Sequence, residues 1–306
     1  MDRLLIACAI LLMFVAAETV VYPHRSALRL QYNVPLDPQP PDGGGGGNND
    51  NPPPDQPPGQ TGYPTAVSTG PQTPPLKAYA GTELGPTAFR IDTPGVYDGF
   101  TFDRCVTIYA NDVTISNSVI NCRQPDYPAI WFRDGAANGR VIRNEINGIK
   151  VGNQSPGVGI TCANGCVATQ NRIVGPQDGI VLSGGSTAED NYIGQSRGGT
   201  TASGPSRHDA IVVTEGNATI SHNTIDNICD SLLNQDDAQG CNAAVLTEGT
   251  AGEVLIDRNY IKRWSWTVFN IQAGTATISN NYFGDIGLQC VINGGTVGAT
   301  STQCRQ

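Results

Sequence analysis

The sequence predicts an all-β protein whose main domain is a single-stranded parallel β-helix, a solenoid of about eight coils. Charged residues make up only 15% of the 306 residues and 37 residues are glycine, which argues against long amphipathic helices. A short β-rich segment that ends in Asn-x-hydrophobic recurs between residues 113 and 283, at intervals of 20 to 36 residues. Such intervals are typical of solenoids, and each repeat is too short for the four strands of a propeller blade.

The amino-terminal region predicts an export segment followed by a spacer. Residues 4–17 are all apolar and follow a short basic start, so residues 1–22 are predicted to be a secretory signal peptide. An uncleaved membrane anchor is the alternative. Residues 35–75 hold 13 of the 21 prolines, which predicts a disordered Pro/Gly-rich linker over residues 23–75. Residues 76–306 are then the β-helix domain of a protein that is secreted, or extracellular and tethered by its anchor.

Cysteines outside the export segment predict disulfides. Eight remain, and an even number in an exported chain favours pairing. The sequence leaves the connectivity open, but pairing between cysteines that are close in the chain is the economical choice. The predicted pairs are Cys105–Cys122, Cys162–Cys166, Cys229–Cys241 and Cys290–Cys304.

A repeated asparagine predicts an internal ladder along the solenoid. Coils stack about 4.8 Å apart, so identical residues fall above one another and their side-chain amides bond from coil to coil. This structural role removes those asparagines from any active site. His222, next to one of them, is assigned to the surface or to support of the ladder. The aligned positions are Asn117, Asn144, Asn171, Asn191, Asn223, Asn259 and Asn281.

The repeated runs resemble those of a known superfamily. The VTISNS run at 113–118, the ATISHN run at 218–223 and the NxI signature are similar to the right-handed parallel β-helix proteins of the pectate-lyase-like superfamily. The resemblance covers roughly residues 88–290 and implies a right-handed solenoid. Small secreted bacterial members of this group often have no assigned activity, so the resemblance indicates architecture rather than chemistry.

The residues that immediately precede the first strand of each coil also align along the solenoid, and this column predicts the position of an active site. Asp178 and Asp209 fall in register on neighbouring coils, and His208 comes just before Asp209. Insertions at 194–207 and 229–241 open beside this column. Loops that project from one face of a rigid scaffold often build a binding cleft. The members of the column are Pro128, Val158, Asp178, Asp209, Ala243 and Trp266.

The two aspartates predict a catalytic pair. Carboxylates about 5 Å apart serve general acid–base or nucleophilic glycoside chemistry, because their mutual repulsion leaves one of them protonated. His208 would tune or orient the pair. This is loosely similar to β-helical polygalacturonases, although the paired-Asp and Gly-His-Gly segments of those enzymes are missing. The alternative is that Asp178 and Asp209 only cap the turns at the corner.

Nearby charged residues predict the rest of the catalytic site. Arg207, Lys262 and Arg263 are candidates for binding a substrate carboxylate. The resemblance to β-helical lyases implies an Arg or Lys base, here Arg207 or Lys262, often with a Ca²⁺ ion. Asp236 and Asp237 would join the aspartate pair as oxygen ligands of that ion. No other cofactor is expected.

Tryptophans predict contacts with sugar. Exposed aromatic rings stack on sugars in carbohydrate clefts, whereas buried tryptophans pack in cores. Trp264 and Trp266 are the candidate substrate-binding platforms. Trp131 is predicted either to stack on sugar or to pack in the core.

The sequence therefore predicts an exported carbohydrate-active protein, a polysaccharide lyase or glycoside hydrolase that acts on an extracellular glycan. The alternative is a non-catalytic surface or adhesive β-helix that binds glycan or protein. The net charge of −9, without clusters of Lys or Arg, argues against nucleic acid as a partner. Contact with a membrane is expected only through the amino-terminal anchor.

Overall fold

A computed structural model describes residues 62–74, 77–133, 135–149, 156–194, 200–201, 204–205, 208–226, 241–262, 267–284, 292–293 and 296–300. All regular secondary structure in these ranges is β-strand, which confirms the all-β prediction. Within the same ranges there is no helix of the length and hydrophobicity needed to cross a membrane.

The described chain forms short strands that are joined by tight turns. In chain order they are β1 (Lys77–Ala78), β2 (Glu83–Leu84), β3 (Ala88–Ile91), β4 (Gly95–Asp98), β5 (Phe100–Phe102), β6 (Cys105–Ile108), β7 (Val113–Ser116), β8 (Val119–Cys122), β9 (Ile130–Phe132), β10 (Arg140–Ile142), β11 (Glu145–Gly148), β12 (Val158–Cys162), β13 (Val167–Thr169), β14 (Arg172–Val174), β15 (Asp178–Ser183), β16 (Ser186–Glu189), β17 (Tyr192–Gly194), β18 (Thr200–Thr201), β19 (Gly204–Pro205), β20 (His208–Ser221), β21 (Thr224–Asp226), β22 (Cys241–Asp257), β23 (Tyr260–Lys262), β24 (Thr267–Ile271), β25 (Thr275–Ser279), β26 (Tyr282–Gly284), β27 (Ile292–Asn293) and β28 (Thr296–Thr300).

These strands stack into two long sheets along the solenoid axis. Sheet A takes one strand from each of nine coils, in the order β1-β5-β8-β11-β14-β17-β21-β23-β26. Sheet B has a first arm, β3-β6-β9-β12-β15-β20-β22-β24-β27, and a second arm, β4-β7-β10-β13-β16-β20-β22-β25-β28. Within each of these rows neighbouring strands are parallel. The fold is therefore a parallel β-helix, as predicted, with nine coils in sheet A.

Inward-facing isoleucines explain why the coils stack. Ile120, Ile146 and Ile173 pair in register in sheet A and are fully buried, and Ile193 and Ile225 continue the same column. Side chains alternate along a strand, so each coil presents one apolar face to the interior. A single coil cannot bury that face alone, and stacking gives all coils a common core.

The predicted asparagine ladder lies at the corner that leads into sheet A. The backbone N–H of Asn171 donates to Asn191 Oδ1 at 3.0 Å, and Asn171 Nδ2 donates to the same oxygen at 3.0 Å. The same two contacts join every consecutive pair from Asn144 to Asn281. Each amide therefore caps the turn of the preceding coil and also bonds onward to the next amide.

At the coil before Asn144 the ladder position is Ser118, so the prediction of Asn117 is wrong. Ile120 pairs with Ile146, and this register places Ser118 opposite Asn144. The N–H of Ser118 donates to Asn144 Oδ1 at 3.0 Å. Asn117 instead takes the turn position just before the ladder, with φ of 45°.

The turn position before each ladder residue is left-handed in this part of the chain. Its φ values lie between 45° and 58°, which is uncommon for residues with a side chain. Ladder hydrogen bonds on both sides hold this conformation in place. His222 lies in one of these turns, where its Nδ1 is hydrogen-bonded to the Asp190 carboxylate. The turn residues are Asn117, Arg143, Gln170, Asp190, His222, Arg258 and Asn280.

Residues 62–74 lie against these turns, although the sequence assigns them to the linker; we call them the strap. Tyr63 is 3% exposed, and its ring stacks on the His222 ring with centroids 4.8 Å apart. Further along the strap, the Gly70 N–H donates to the Gln170 carbonyl at 2.9 Å. The strap therefore packs on the β-helix as part of the folded structure.

Two of the predicted disulfides are present. Cys105 in β6 bonds to Cys122 in β8, and Cys162 in β12 bonds to Cys166 in the turn that follows. The first links the first arm of sheet B to sheet A, and the second closes a tight turn. The pairs Cys229–Cys241 and Cys290–Cys304 stay predictions, because they involve side chains outside the described residues. The export segment lies outside them as well.

Candidate functional site

The predicted aspartate pair lies at the corner where the first arm of sheet B begins. Asp178 is the first residue of β15, and His208 and Asp209 open β20. Pairing of Ile180 with Ile211 places Asp178 opposite Asp209, as the sequence predicts. We call the following group the acidic corner: Gln177, Asp178, His208 and Asp209.

Both carboxylates of the acidic corner accept hydrogen bonds from the backbone of the next coil. Asp178 Oδ1 accepts from the Asp209 N–H at 2.9 Å, and Asp209 Oδ1 accepts from the Ala243 N–H at 2.7 Å. Asp209 is buried. These contacts are the ones expected if Asp178 and Asp209 only cap the turns at the corner and have no catalytic role.

The acidic corner is also a buried polar cluster. Burial and the neighbouring Asp209 raise the pKa of Asp178 well above its ordinary value, and the hydrogen bond from the Asp209 N–H opposes the shift. His208 is buried, with its Nδ1 3.3 Å from the Gln177 carbonyl oxygen. The Gln177 side chain donates to Asp126 Oδ1 at 3.2 Å. One carboxyl group of the pair therefore favours its protonated form.

The last member of the predicted column is Thr267, and the assignment of Trp266 to it is wrong. In β24, Phe269 pairs with Val245 and Thr267 pairs with Ala243. Phe269 is fully buried. Core packing therefore sets the register one residue later than the sequence pattern suggests.

Lys262 is paired within sheet A, at the ends of neighbouring strands. Its Nζ lies 3.3 Å from Asp226 Oδ2, and the same oxygen accepts a hydrogen bond from the Tyr192 hydroxyl at 3.0 Å. Strand pairing puts Asp226 directly beside Lys262. Asp226 and Tyr192 were not among the predicted site residues, although the repeat alignment places Asp226 and Lys262 at equivalent positions.

The other predicted site residues lie outside the described residues, and their roles stay predictions. They are Arg207, Asp236, Asp237, Arg263, Trp264 and Trp266.

An aromatic and cationic patch lies on the outer face of the first arm. Ile130 and Phe132 of β9 are buried in the core, so Trp131 between them faces outward and is partly exposed. Trp131 pairs with Thr107 of β6. The structure thus places Trp131 on the surface rather than in the core, and its contact with sugar stays a prediction. We call the following group the aromatic platform: Tyr109, Tyr127, Trp131 and Arg133.

The rings of the aromatic platform are held by contacts among themselves. The Arg133 guanidinium carbon lies 4.0 Å from the centroid of the Trp131 ring and 6.0 Å from that of Tyr109. Tyr127 packs edge-on against Trp131 with centroids 5.3 Å apart, and its hydroxyl is 2.9 Å from Thr107 Oγ1. Cation–π stacking of this kind fixes a guanidinium flat on an aromatic ring.

The charge of the aromatic platform is positive. Arg90 stacks 4.4 Å above Tyr109 but is neutralised by Asp92, whose carboxylate is 2.7 Å from Arg90 Nε. In the part of the chain that the structure describes, no carboxylate lies within ion-pair distance of Arg133. Arg133 was not among the predicted site residues, yet it follows Trp131 by two residues, and strand alternation puts both on one face.

A shallow groove occupies the outer face of the second arm, with a cavity volume of about 480 Å³. Thr219, Leu255 and Thr277 pair across neighbouring strands and form its floor. Leu255 is 39% exposed, which is unusual for a leucine of this fold. The lining contains no residue of the acidic corner or of the aromatic platform. It consists of Gly185, Asn217, Ala218, Thr219, Glu253, Val254, Leu255, Thr275 and Thr277.

Comparison with known proteins gives a family. A family model described as "Periplasmic copper-binding protein (NosD)" matches residues 97–299, about two thirds of the chain. The chain belongs to the NosD family. This family consists of right-handed β-helices, and membership agrees with an exported parallel β-helix protein that carries disulfides. No curated protein and no solved structure matches the NosD-family chain significantly.

The described residues do not fit the copper in the NosD family description. Copper favours imidazole and sulfur ligands. His208 begins β20 whereas His222 follows its last residue, and Cys105, Cys122, Cys162 and Cys166 are bonded in disulfides. Across the described ranges no three His, Cys, Asp or Glu residues come together in a way that could hold a metal ion. The same finding gives no support to the predicted Ca²⁺ site.

Proposed function

We propose that this exported β-helix protein binds an extracellular glycan that carries carboxylate groups, and that the aromatic platform makes the contact. The observation that carries the proposal is the Arg133 guanidinium, stacked 4.0 Å from the Trp131 ring without a carboxylate partner among the described residues. In a chain with a net charge of −9, an arginine that lies on an aromatic surface with no ion-pair partner in the described ranges is conspicuous.

The chemistry of the aromatic platform suits such a ligand. A guanidinium presents its N–H groups in a planar fork that matches a carboxylate in two parallel hydrogen bonds. Trp131 lies against one side of the guanidinium, so the N–H groups that its ring does not cover are the part available to a ligand. Tyr109 is 39% exposed and provides flat apolar surface beside the fork for the C–H face of a sugar ring.

Cleavage of the glycan by a lyase or hydrolase is the second candidate function. The raised pKa of Asp178 next to Asp209 is the arrangement that an acid–base pair requires. Both carboxylates are, however, engaged with backbone N–H groups of the next coil. Binding without cleavage is therefore our first proposal, and the acidic corner is the place where cleavage would occur.

The proposal is tested by calorimetric titration of the mature protein with an oligomer of a uronic acid. The comparison ligand is the same oligomer with its carboxylates methyl-esterified. We expect the free acid to bind at least about tenfold more tightly, because a charge-assisted hydrogen bond contributes roughly 1.5 to 3 kcal/mol. Arg133→Gln should remove that preference, whereas Trp131→Ala should weaken binding of both ligands.

Arg140→Gln is the matched control, since Arg140 is an exposed arginine of the second arm and its removal changes the net charge equally. It should bind both ligands like the unmodified protein. Equal affinity of Arg133→Gln and Arg140→Gln for the free acid would contradict the proposal. Unsaturated ends or new reducing ends among the products would establish cleavage in addition.

A further inference from the structure

The strap is anchored at one end by a single tyrosine that touches three coils. The Tyr63 ring centroid lies 4.8 Å from that of His222, 5.5 Å from that of Tyr260 and 6.0 Å from that of Tyr282. His222 precedes β21, Tyr260 begins β23 and Tyr282 begins β26, so these contacts span three successive coils. At 3% exposure Tyr63 is as buried as a core residue.

Near its other end the strap packs against the turns of earlier coils. The Gly70 N–H donates to the Gln170 carbonyl at 2.9 Å. Gly70 has φ of +82°, and a Cβ there would lie 3.4 Å from Arg172 Cβ and 3.8 Å from the Asn144 carbonyl oxygen. The left-handed backbone favours glycine at this position, whereas a Cβ would be in ordinary van der Waals contact with the coil.

Between its two ends the strap forms a turn held by its own hydroxyl groups. Thr69 Oγ1 donates to the Thr65 carbonyl at 2.7 Å, and the Ser68 N–H donates to Thr65 Oγ1 at 3.0 Å. Such side-chain bonds stabilise a turn without help from a neighbouring strand. The strap thus has a defined conformation over the distance between Tyr63 and Gly70.

The two anchor points lie on coils that are not neighbours. The turn at Gln170 and the nearest turn that Tyr63 contacts, at His222, are separated by the turn at Asp190. In a solenoid each coil contacts only the adjacent coils, so its stability is close to a sum of nearest-neighbour terms. A segment that contacts distant coils adds coupling that the stacked strands do not provide.

We infer that the strap is an axial clamp that fastens the carboxyl-terminal coils to earlier coils of the β-helix. From Tyr63, beside β23 and β26, the strap runs to the turn at Gln170, in the direction of β1 at the opposite end of the solenoid. The clamp itself does not depend on the proposed function.

Hydrogen exchange in the mature protein tests the clamp. In Tyr63→Ala we expect exchange in β23 and β26 to be at least about tenfold faster, with little change in β5 and β8, because only the later coils lose their anchor. The melting temperature should fall by roughly 5 to 10 °C, the scale of losing a buried aromatic side chain. The matched control is Val67→Ala in the same strap, since Val67 is 90% exposed; it should change neither quantity.

A second variant keeps the test informative if Tyr63→Ala does not fold. Tyr63→Phe retains the ring and removes a buried hydroxyl that has no hydrogen-bond partner among the described residues, so it should be at least as stable as the original. A photo-crosslinking phenylalanine analogue at position 63 should form crosslinks to β23 or β26. Unchanged exchange in Tyr63→Ala, or crosslinks only to the first coils, would overturn the inference.

Discussion

The two polar corners of the β-helix differ in how far their pattern extends along the axis. At the asparagine corner one residue type recurs on six consecutive coils, and every member is buried. At the acidic corner only two coils carry aspartate. The neighbouring coils have Val158 on one side and Ala243 on the other. A pattern that spans most of the coils serves the stacking itself, whereas a local exception marks a candidate functional position.

The chemistry of the two side chains explains the difference. An asparagine amide accepts a hydrogen bond through its oxygen and donates one through its nitrogen, so each rung can connect to the next. An ionised aspartate only accepts. The contacts from Asp178 to Asp209 run only from backbone N–H to carboxylate, and they end at Ala243, whose side chain has no acceptor for the next coil. Extending the acidic column would also place more like charges together in a buried corner.

The largest effect is expected from breaking the asparagine ladder at its centre. Asn191→Ala leaves the N–H and the side-chain amide of Asn171 without their acceptor in a buried position. We expect a loss of roughly 3 to 5 kcal/mol in the free energy of unfolding, measured by chemical denaturation. The control is Asn147→Ala, a partly exposed asparagine that bonds to Asn121 on the outer face, with an expected loss below about 1 kcal/mol. Equal losses of unfolding free energy would show that a ladder asparagine contributes no more to stability than an asparagine on the outer face.

A smaller effect is expected at the acidic corner. Asp209→Ala removes the acceptor for the Ala243 N–H and should cost about 1 to 2 kcal/mol of unfolding free energy. Asp209→Asn keeps an acceptor oxygen and should stay within about 0.5 kcal/mol of the original protein. Thermal and chemical denaturation of the two variants measure the difference. A larger loss for Asn than for Ala would contradict the capping role.

The smallest effect concerns the pH dependence of stability. The fold raises the pKa of Asp178 above its value in the unfolded chain, mainly through burial and Asp209. Its protonated form is therefore favoured in the folded state. The stabilisation is fully present below the unfolded value of about 3.9 and is lost as the pH rises through the folded pKa.

Going from pH 7 to pH 5, the original protein should gain stability that Asp178→Asn does not gain. Lowered pKa values of Asp98 and Asp257 act in the opposite direction, but only as the pH falls towards 4 and below. Melting temperatures at the two pH values measure the difference. Identical changes for both proteins would show that Asp178 does not titrate differently in the fold.

The repeat pattern predicted the fold and most of the ladder because stacking forces equivalent residues into register. It failed at Asn117 because two polar residues, Asn117 and Ser118, stand side by side and only the core register of Ile120 distinguishes them. The sequence singled out Trp131 but not the rest of the aromatic platform, because its members come from two coils and a turn. Their proximity depends on which face of each strand points outward.

The strap escaped prediction for a different reason. Its proline-rich composition lacks apolar periodicity, and its packing depends on one tyrosine and one glycine rather than on a pattern. A single buried Tyr63 carries little signal in a segment with the composition of a linker.

The most direct test of the account compares Arg133→Gln and Asp209→Asn in one assay, with the uronic acid oligomer as ligand and the products analysed for cleavage. We predict that Arg133→Gln lowers affinity at least about tenfold while Asp209→Asn binds like the original protein. We also predict that neither variant differs from the original in product formation. The opposite result, intact affinity in Arg133→Gln together with turnover that falls about 100-fold in Asp209→Asn, would place the function at the acidic corner and contradict the account.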